Sequence, residues 1–182
     1  VGRRAGAGRE QSGRGRRLTG RGATRRLVSV GHSYVVGLNR RLAHELAREG
    51  RGRWEVVAVA PTEFHGDLRA LRFRPEEGEA ENCRVEGVPA RLTRRVPLMF
   101  YGRKLRRLLR DEPWDVVHCW EEPYVLSGGQ VALWSPKSAA LVYYTCQNIA
   151  KRYPPPFLQV ERYSIDRCSG WIAMGRTVAD AQ

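Results

Sequence analysis

Glu121 and Glu122 stand side by side in WDVVHCWEEPYVLSGG (114–129), just after an apolar run that ends in His118 and Cys119. Two carboxylates beside an imidazole are the groups used for general acid–base catalysis, and carboxylates also bind hydroxyls. Adjacent residues need not face one cavity, and an exposed turn would explain either glutamate equally well. His118 and Cys119 fit a buried strand better than a catalytic dyad. Three other short stretches carry comparable chemistry. Gly31-His32-Ser33 combines a glycine, which allows close approach to the backbone, with a following helix start that suits an anion such as a phosphate. Gln147 and Asn148 can bond hydroxyls as donor and acceptor, and Lys151 and Arg152 can meet an anion. Gly175 to Thr177 follow the last apolar run.

These residues share one kind of position, which the elements around them explain. RLVSVG (26–31) reads as a buried strand, with Ser33 able to cap the next helix. Val35, Leu38, Leu42 and Leu46 recur at helical spacing, with Arg40, Arg41, His44, Glu45 and Arg48 on the other faces, and Gly50 closes the helix. WEVVAVAP (54–61) is a second strand, completing a βαβ unit with a parallel pair and a right-handed crossover. FHGDLRALRF reads as a loop, residues 74–82 as an exposed acidic stretch, and 83–88 as a short strand that Pro89 interrupts. RKLRRLLRDEP (103–113) is a helix with Leu105, Leu108 and Leu109 inward; Arg103, Lys104, Arg106, Arg107 and Arg110 form a solvated face or a contact for anionic lipid or an acidic partner. From there WDVVHCW, AALVYYTCQN and GWIAMG alternate as strands with three helical segments, the last beginning at TVADAQ. The alternation predicts an α/β domain of three layers around a mostly parallel sheet. Ligands of such sheets bind beyond the carboxyl ends of the strands, where all the stretches above fall.

The formal net charge of +13 is concentrated at one end, since residues 1–26 hold nine arginines against Glu10 alone. Residues 1–24 carry too few large apolar side chains to fold and are expected to be a disordered basic tail, with residues 25–182 as the folded domain. A tail of this kind could grip nucleic acid or an anionic membrane, but the modest charge elsewhere makes nucleic acid a poor candidate partner. No segment resembles a secretory signal or a membrane span. The four cysteines (83, 119, 146, 168) lack zinc spacing. Cys119 and Cys146 fall in apolar runs and are expected to be buried thiols, suited to a reducing cytoplasm. The dinucleotide, phosphate-loop, zinc-protease and nucleophile-elbow signatures are absent.

Taken together, RRLVSVGHSYVVGLNRRLAHELA, WEVVAVAPTEFHGDLR, WDVVHCWEEPYVLSGGQ and TCQNIAKRYPPPFLQVERYSIDRCSGWIAMGRTV resemble the N-terminal domain of the family-4, or group 1, glycosyltransferases. The resemblance implies the Rossmann-like N-terminal half of a GT-B fold, retaining transfer of sugar from a nucleotide-sugar to a sugar or lipid-linked acceptor, and no metal or other cofactor. It places Gly31, His32, Ser33, Gly175 and Thr177 on the donor-diphosphate side, and Glu121, Glu122, Tyr124, Gln147, Asn148 and Arg152 around the acceptor. This sequence has Gly31-His32 where many members have two glycines, and Gln147 where many have a histidine, so an acid–base role at 147 is lost. The family's donor-binding basic pair and paired glutamates lie in a second domain, before which this chain stops, so the chain alone is expected to be inactive. A cytoplasmic location, with peripheral contact to the inner face of the membrane, fits the same resemblance. The competing expectation is a non-catalytic binding module whose basic tail holds nucleic acid or membrane; its binding should fall steeply with salt and with loss of the tail.

Overall fold

The computed structural model describes residues 24–66, 69–75, 83–147 and 151–180. Six parallel strands form the central sheet: β1 (Arg25–Val30), β2 (Trp54–Pro61), β5 (Cys83–Val88), β8 (Val116–Cys119), β9 (Ala140–Thr145) and β10 (Gly170–Ala173), in the spatial order β10-β9-β8-β1-β2-β5. Two small antiparallel ladders leave this sheet: β3 (Glu63–Phe64) with β4 (Leu71–Arg72), and β6 (Ala90–Arg91) with β7 (Phe100–Tyr101). Helices α1 (Gly37–Glu49), α2 (Arg103–Asp111), α3 (Leu126–Trp134), α4 (Phe157–Arg167) and α5 (Arg176–Asp180) alternate with the strands, bearing out the expected α/β, Rossmann-like architecture. Residues 1–23, most of the predicted tail, lie outside the described residues. No helix among the described residues is long and apolar enough to cross a membrane.

Strand alternation divides the core. Val28 and Val30 of β1, Val57 and Val59 of β2, and Val117 and Cys119 of β8 point to one side, against Leu105, Leu108 and Leu109 of α2 and Val131 and Ala132 of α3. Val56, Ala58 and Ala60 point to the other side, against Tyr34 and the alanines of α1. Helices on opposite faces follow from the reversal of strand order: right-handed crossovers run one way from β1 to β2 and the other way from β8 to β9. The reversal creates a switch point between β1 and β8.

Helix α1 differs from its predicted orientation. Its buried residues are Arg40, Ala43 and Ala47, while Leu38 is 77% exposed and Leu46 is also exposed. The facing sheet surface is built from Ala58 and Ala60, and two alanines on the helix let it lie close, leaving no depth for a leucine stripe. Arg40, predicted to face solvent, is 1% exposed; its guanidinium donates to the carbonyls of Tyr34 (2.9 Å) and Arg74 (2.9 Å) and lies over the Phe73 ring. It thereby fastens the 71–75 segment to α1. Arg40→Met, which keeps the stem and removes the donors, should lower unfolding stability by about 2 kcal/mol in urea melts.

Three smaller expectations also change. Ser33 does not cap α1, because a 3-10 turn (His32–Val35) intervenes and the helix starts from Val36 without a side-chain cap. The segment predicted as a loop after β2 contributes β3 and β4. Cys119 is fully buried as expected, but Cys146 is exposed, because β9 ends at Thr145 and the chain turns out into the crevice region. Helices α3 and α4 approach over Gly129, where an added Cβ would lie 2.6 Å from the Val160 methyl.

Candidate active site at the strand ends

At the switch point the loops after β1 and β8 meet. Trp120 donates its backbone N–H to the Val30 carbonyl (2.7 Å), holding the second loop against the end of β1. Gly31 is extended (φ −165°), and a Cβ there would lie 2.9 Å from the Trp120 Cβ and 3.2 Å from its carbonyl oxygen. The glycine is therefore explained by contact between two loops of the protein itself.

Glu121 ties these loops together. One carboxylate oxygen accepts from the His32 backbone N–H (2.7 Å) and the Tyr101 hydroxyl (2.9 Å); the other bonds His32 Nδ1 (2.7 Å). Its side chain is fully buried, while the His32 ring is 25% exposed and rests on Phe64 with ring centroids 4.9 Å apart. Burial pulls the imidazole's pKa down, but the charge and hydrogen bond of Glu121, aided by Glu122, outweigh it and hold His32 above its ordinary value. The oxygens of Glu121 are thus bonded inside the protein, and the His32 N–H serves the same carboxylate.

Glu122 points the other way. Its oxygens accept from the Thr145 hydroxyl (2.9 Å) and the Cys146 N–H (3.0 Å), bridging the ends of β8 and β9. It remains half-buried and has lone pairs left for a further donor. Beside it, Tyr124 stacks on Tyr153 with centroids 3.9 Å apart and planes within 13°, and the Tyr153 hydroxyl donates to Gln147 Oε1 (2.6 Å). Glu122, Tyr124 and Gln147, all expected at the site, thus share one wall. Arg152 is exposed next to it, and Asn148 lies outside the described residues. Gly175 and Thr177 are exposed beyond β10, three strands from β1 and so about 14 Å across the sheet. Ser33 is half-buried, and its carbonyl accepts from Asn39 Nδ2 (2.9 Å).

The sequence did not point to Tyr101, Tyr153, Phe64 or Trp120. Tyr101 arrives on the small β7 strand, held there by Gln130, which bonds both its N–H (2.7 Å) and its carbonyl (3.1 Å). Only Tyr153 had a usable signal, an aromatic directly after Lys151-Arg152 in the strand-end loop.

His118 lies beneath the site and not in it. It is 4% exposed, and its Nδ1 bonds the Ser29 hydroxyl (2.6 Å), which in turn bonds the Tyr34 hydroxyl (2.6 Å). Burial pushes its pKa down to about 4. A depressed histidine contributes stability that is present above its unfolded value, near 6.5, and lost as pH falls toward about 4. Histidine NMR should accordingly show His118 neutral at a pH of about 5 while His32 is charged.

With this frame in place, similarity to known proteins decides the family. The model of Glycosyltransferase Family 4 matches residues 38–181, most of the chain. The chain belongs to this family. No curated protein matches it. The family-4 match starts within α1, after Gly31-His32-Ser33, and includes Glu121, Glu122, Tyr124, Gln147 and Gly175. In this family-4 domain the residues that converge are therefore Glu122, Tyr124, Gln147 and Tyr153 on one wall, with the His32–Glu121–Tyr101 clamp fixing the neighbouring loop.

Proposed function

We propose that this domain is the acceptor-side half of a retaining glycosyltransferase, which takes sugar from a nucleotide-sugar and needs no metal. The observation that carries the reading is the Glu122 wall: a half-buried carboxylate bridging two strand ends, a tyrosine pair and an amide, within a family-4 domain. Sugars present hydroxyls for carboxylates and amides, and C–H faces for aromatic rings, and the wall supplies all three. Glu122 and Gln147 receive acceptor hydroxyls, with Tyr124 and Tyr153 beneath the ring. Arg152, at the rim, suits an acceptor that carries phosphate. His32 takes the donor side: with Nδ1 held by Glu121, its remaining nitrogen can donate to a phosphate oxygen, a different contact from the backbone cradle read from the sequence.

Nucleoside diphosphate release from UDP- and GDP-sugars by this domain joined to a donor-binding half, measured with simple glycosides as acceptors, tests this. Glu122→Ala should raise the acceptor KM about tenfold, the value of one to two hydrogen bonds. Unchanged turnover together with unchanged KM would remove Glu122 from the site.

A further inference from the structure

His32 enters the crevice with one ring nitrogen occupied. Nδ1 bonds Glu121 (2.7 Å), while Nε2 makes no hydrogen bond among the described residues, on a side chain that is 25% exposed. A ring nitrogen donates only when it is protonated, so the placement of the neutral ring's single proton decides what Nε2 can do. The partners of Glu121 fix that placement. Its Oε1 accepts from two donors, the His32 backbone N–H (2.7 Å) and the Tyr101 hydroxyl (2.9 Å). Tyr101 is 1% exposed and cannot drift, since Gln130 holds both its N–H (2.7 Å) and its carbonyl (3.1 Å). Two donors on one oxygen favour the carboxylate as an anion, and an anionic Oε2 can only accept. The proton between Oε2 and Nδ1 therefore sits on Nδ1, and the neutral ring turns a bare lone pair on Nε2 toward the crevice. Of the other charged groups near the ring, Glu122 adds a negative charge from the same loop. Glu63 and His65, on either side of the Phe64 that packs against His32, pair with each other (3.2 Å).

We infer that His32 binds a diphosphate only as the imidazolium ion, taking up a proton at Nε2, and that Glu121 is the positioning residue that imposes this by keeping the other proton on Nδ1. The inference rests on the reading that places His32 on the donor side. A neutral ring would set its lone pair against a phosphate oxygen, two acceptors facing each other. Protonation turns the same nitrogen into a charge-assisted donor. Burial works against the charged ring, but Glu121 and Glu122 hold its titration point above the ordinary value, so the charged form is available near neutral pH. Below that point the proton is already in place and binding is insensitive to pH. Above it, affinity falls by up to about tenfold per pH unit as the competent fraction shrinks. Glu121→Gln reverses the lock. Its amide oxygen can still serve the two donors, while its N–H donates to Nδ1, which moves the neutral ring's proton to Nε2 and makes Nε2 a donor at every pH.

Two measurements on the whole chain test the inference. The nitrogen NMR shifts of the imidazole should show neutral His32 protonated at Nδ1 in the wild type and at Nε2 in Glu121→Gln. Inorganic pyrophosphate, followed through the same His32 resonances, should bind the wild type with an affinity that falls by up to about tenfold per pH unit above the His32 titration point. Glu121→Gln should hold its affinity over the same range, and comparing the two proteins cancels the titration of pyrophosphate itself. A neutral wild-type ring protonated at Nε2 would overturn the inference, and that measurement needs no variant. The same pH profile in both proteins would also overturn it; either result leaves His32 on the donor side. Pyrophosphate that moves no His32 resonance at any pH would overturn the donor-side reading, and the inference with it.

Discussion

Glu121→Ala should lower the unfolding free energy by about 3 kcal/mol, the low end for breaking a buried charged pair. The substitution removes acceptors from three donors at once: the His32 N–H, the His32 ring and the Tyr101 hydroxyl. Tyr101 is buried and would be left without its partner, whereas the His32 ring is 25% exposed and can recover part of its hydration. Glu121→Gln keeps an acceptor but not the charge, and should cost about half as much. The pH dependence identifies the cause. Since His32 is held above its ordinary value by this carboxylate, the stability it adds is fully present below about 6.5 and is lost as pH rises through its folded value. Urea melts of wild type and Glu121→Ala should therefore differ most on the acidic side of that window and less above it, where the loss of the acceptor for the Tyr101 hydroxyl and the His32 N–H remains. A constant difference across the window would mean that the hydrogen bonds matter and the ion pair does not.

Gly128→Ala has the next largest expected effect. Gly128 is buried in α3, and an added Cβ would run into the Glu122 carbonyl, a backbone atom that cannot rotate away. The loop after β8 or the whole helix must move, at a cost of about 3 kcal/mol. The movement should also disturb Glu122, so the amide resonance of Cys146, which donates to that carboxylate, should shift with it. Gly175→Ala is the matched control, since its Cβ would meet nothing. If Gly128→Ala melts like wild type and leaves the Cys146 amide unmoved, the coupling of α3 to the Glu122 loop is wrong.

The fold was legible because its strands are written as short apolar runs ended by glycine or proline, as in RLVSVG and WEVVAVAP, which pair in parallel at β1 and β2. Helix α1 was misread in orientation for a physical reason. Leucine spacing marks a stripe, but close packing against Ala58 and Ala60 favoured the alanine stripe at Ala43 and Ala47, and the partner of Arg40 at residue 74 is far away in sequence. Within the site, the position of each residue at a strand end was readable, but the direction of its side chain was not. Glu121 and Glu122 are neighbours with opposite roles: one faces the switch point and the other faces β9. Alternation says that they diverge, but not which of them remains open. The clamp through Tyr101 depends on a two-residue strand fastened by Gln130, a contact 29 positions away that no local pattern announces.

The most direct test of the sugar-binding wall is amide shift mapping of this chain during titration with methyl α-glucoside and methyl α-mannoside. Shifts should centre on Cys146, Gln147, Glu122 and Tyr124 and shrink in Glu122→Ala. Shifts that appear elsewhere, or that persist unchanged in Glu122→Ala, would contradict the assignment of this wall to sugar hydroxyls.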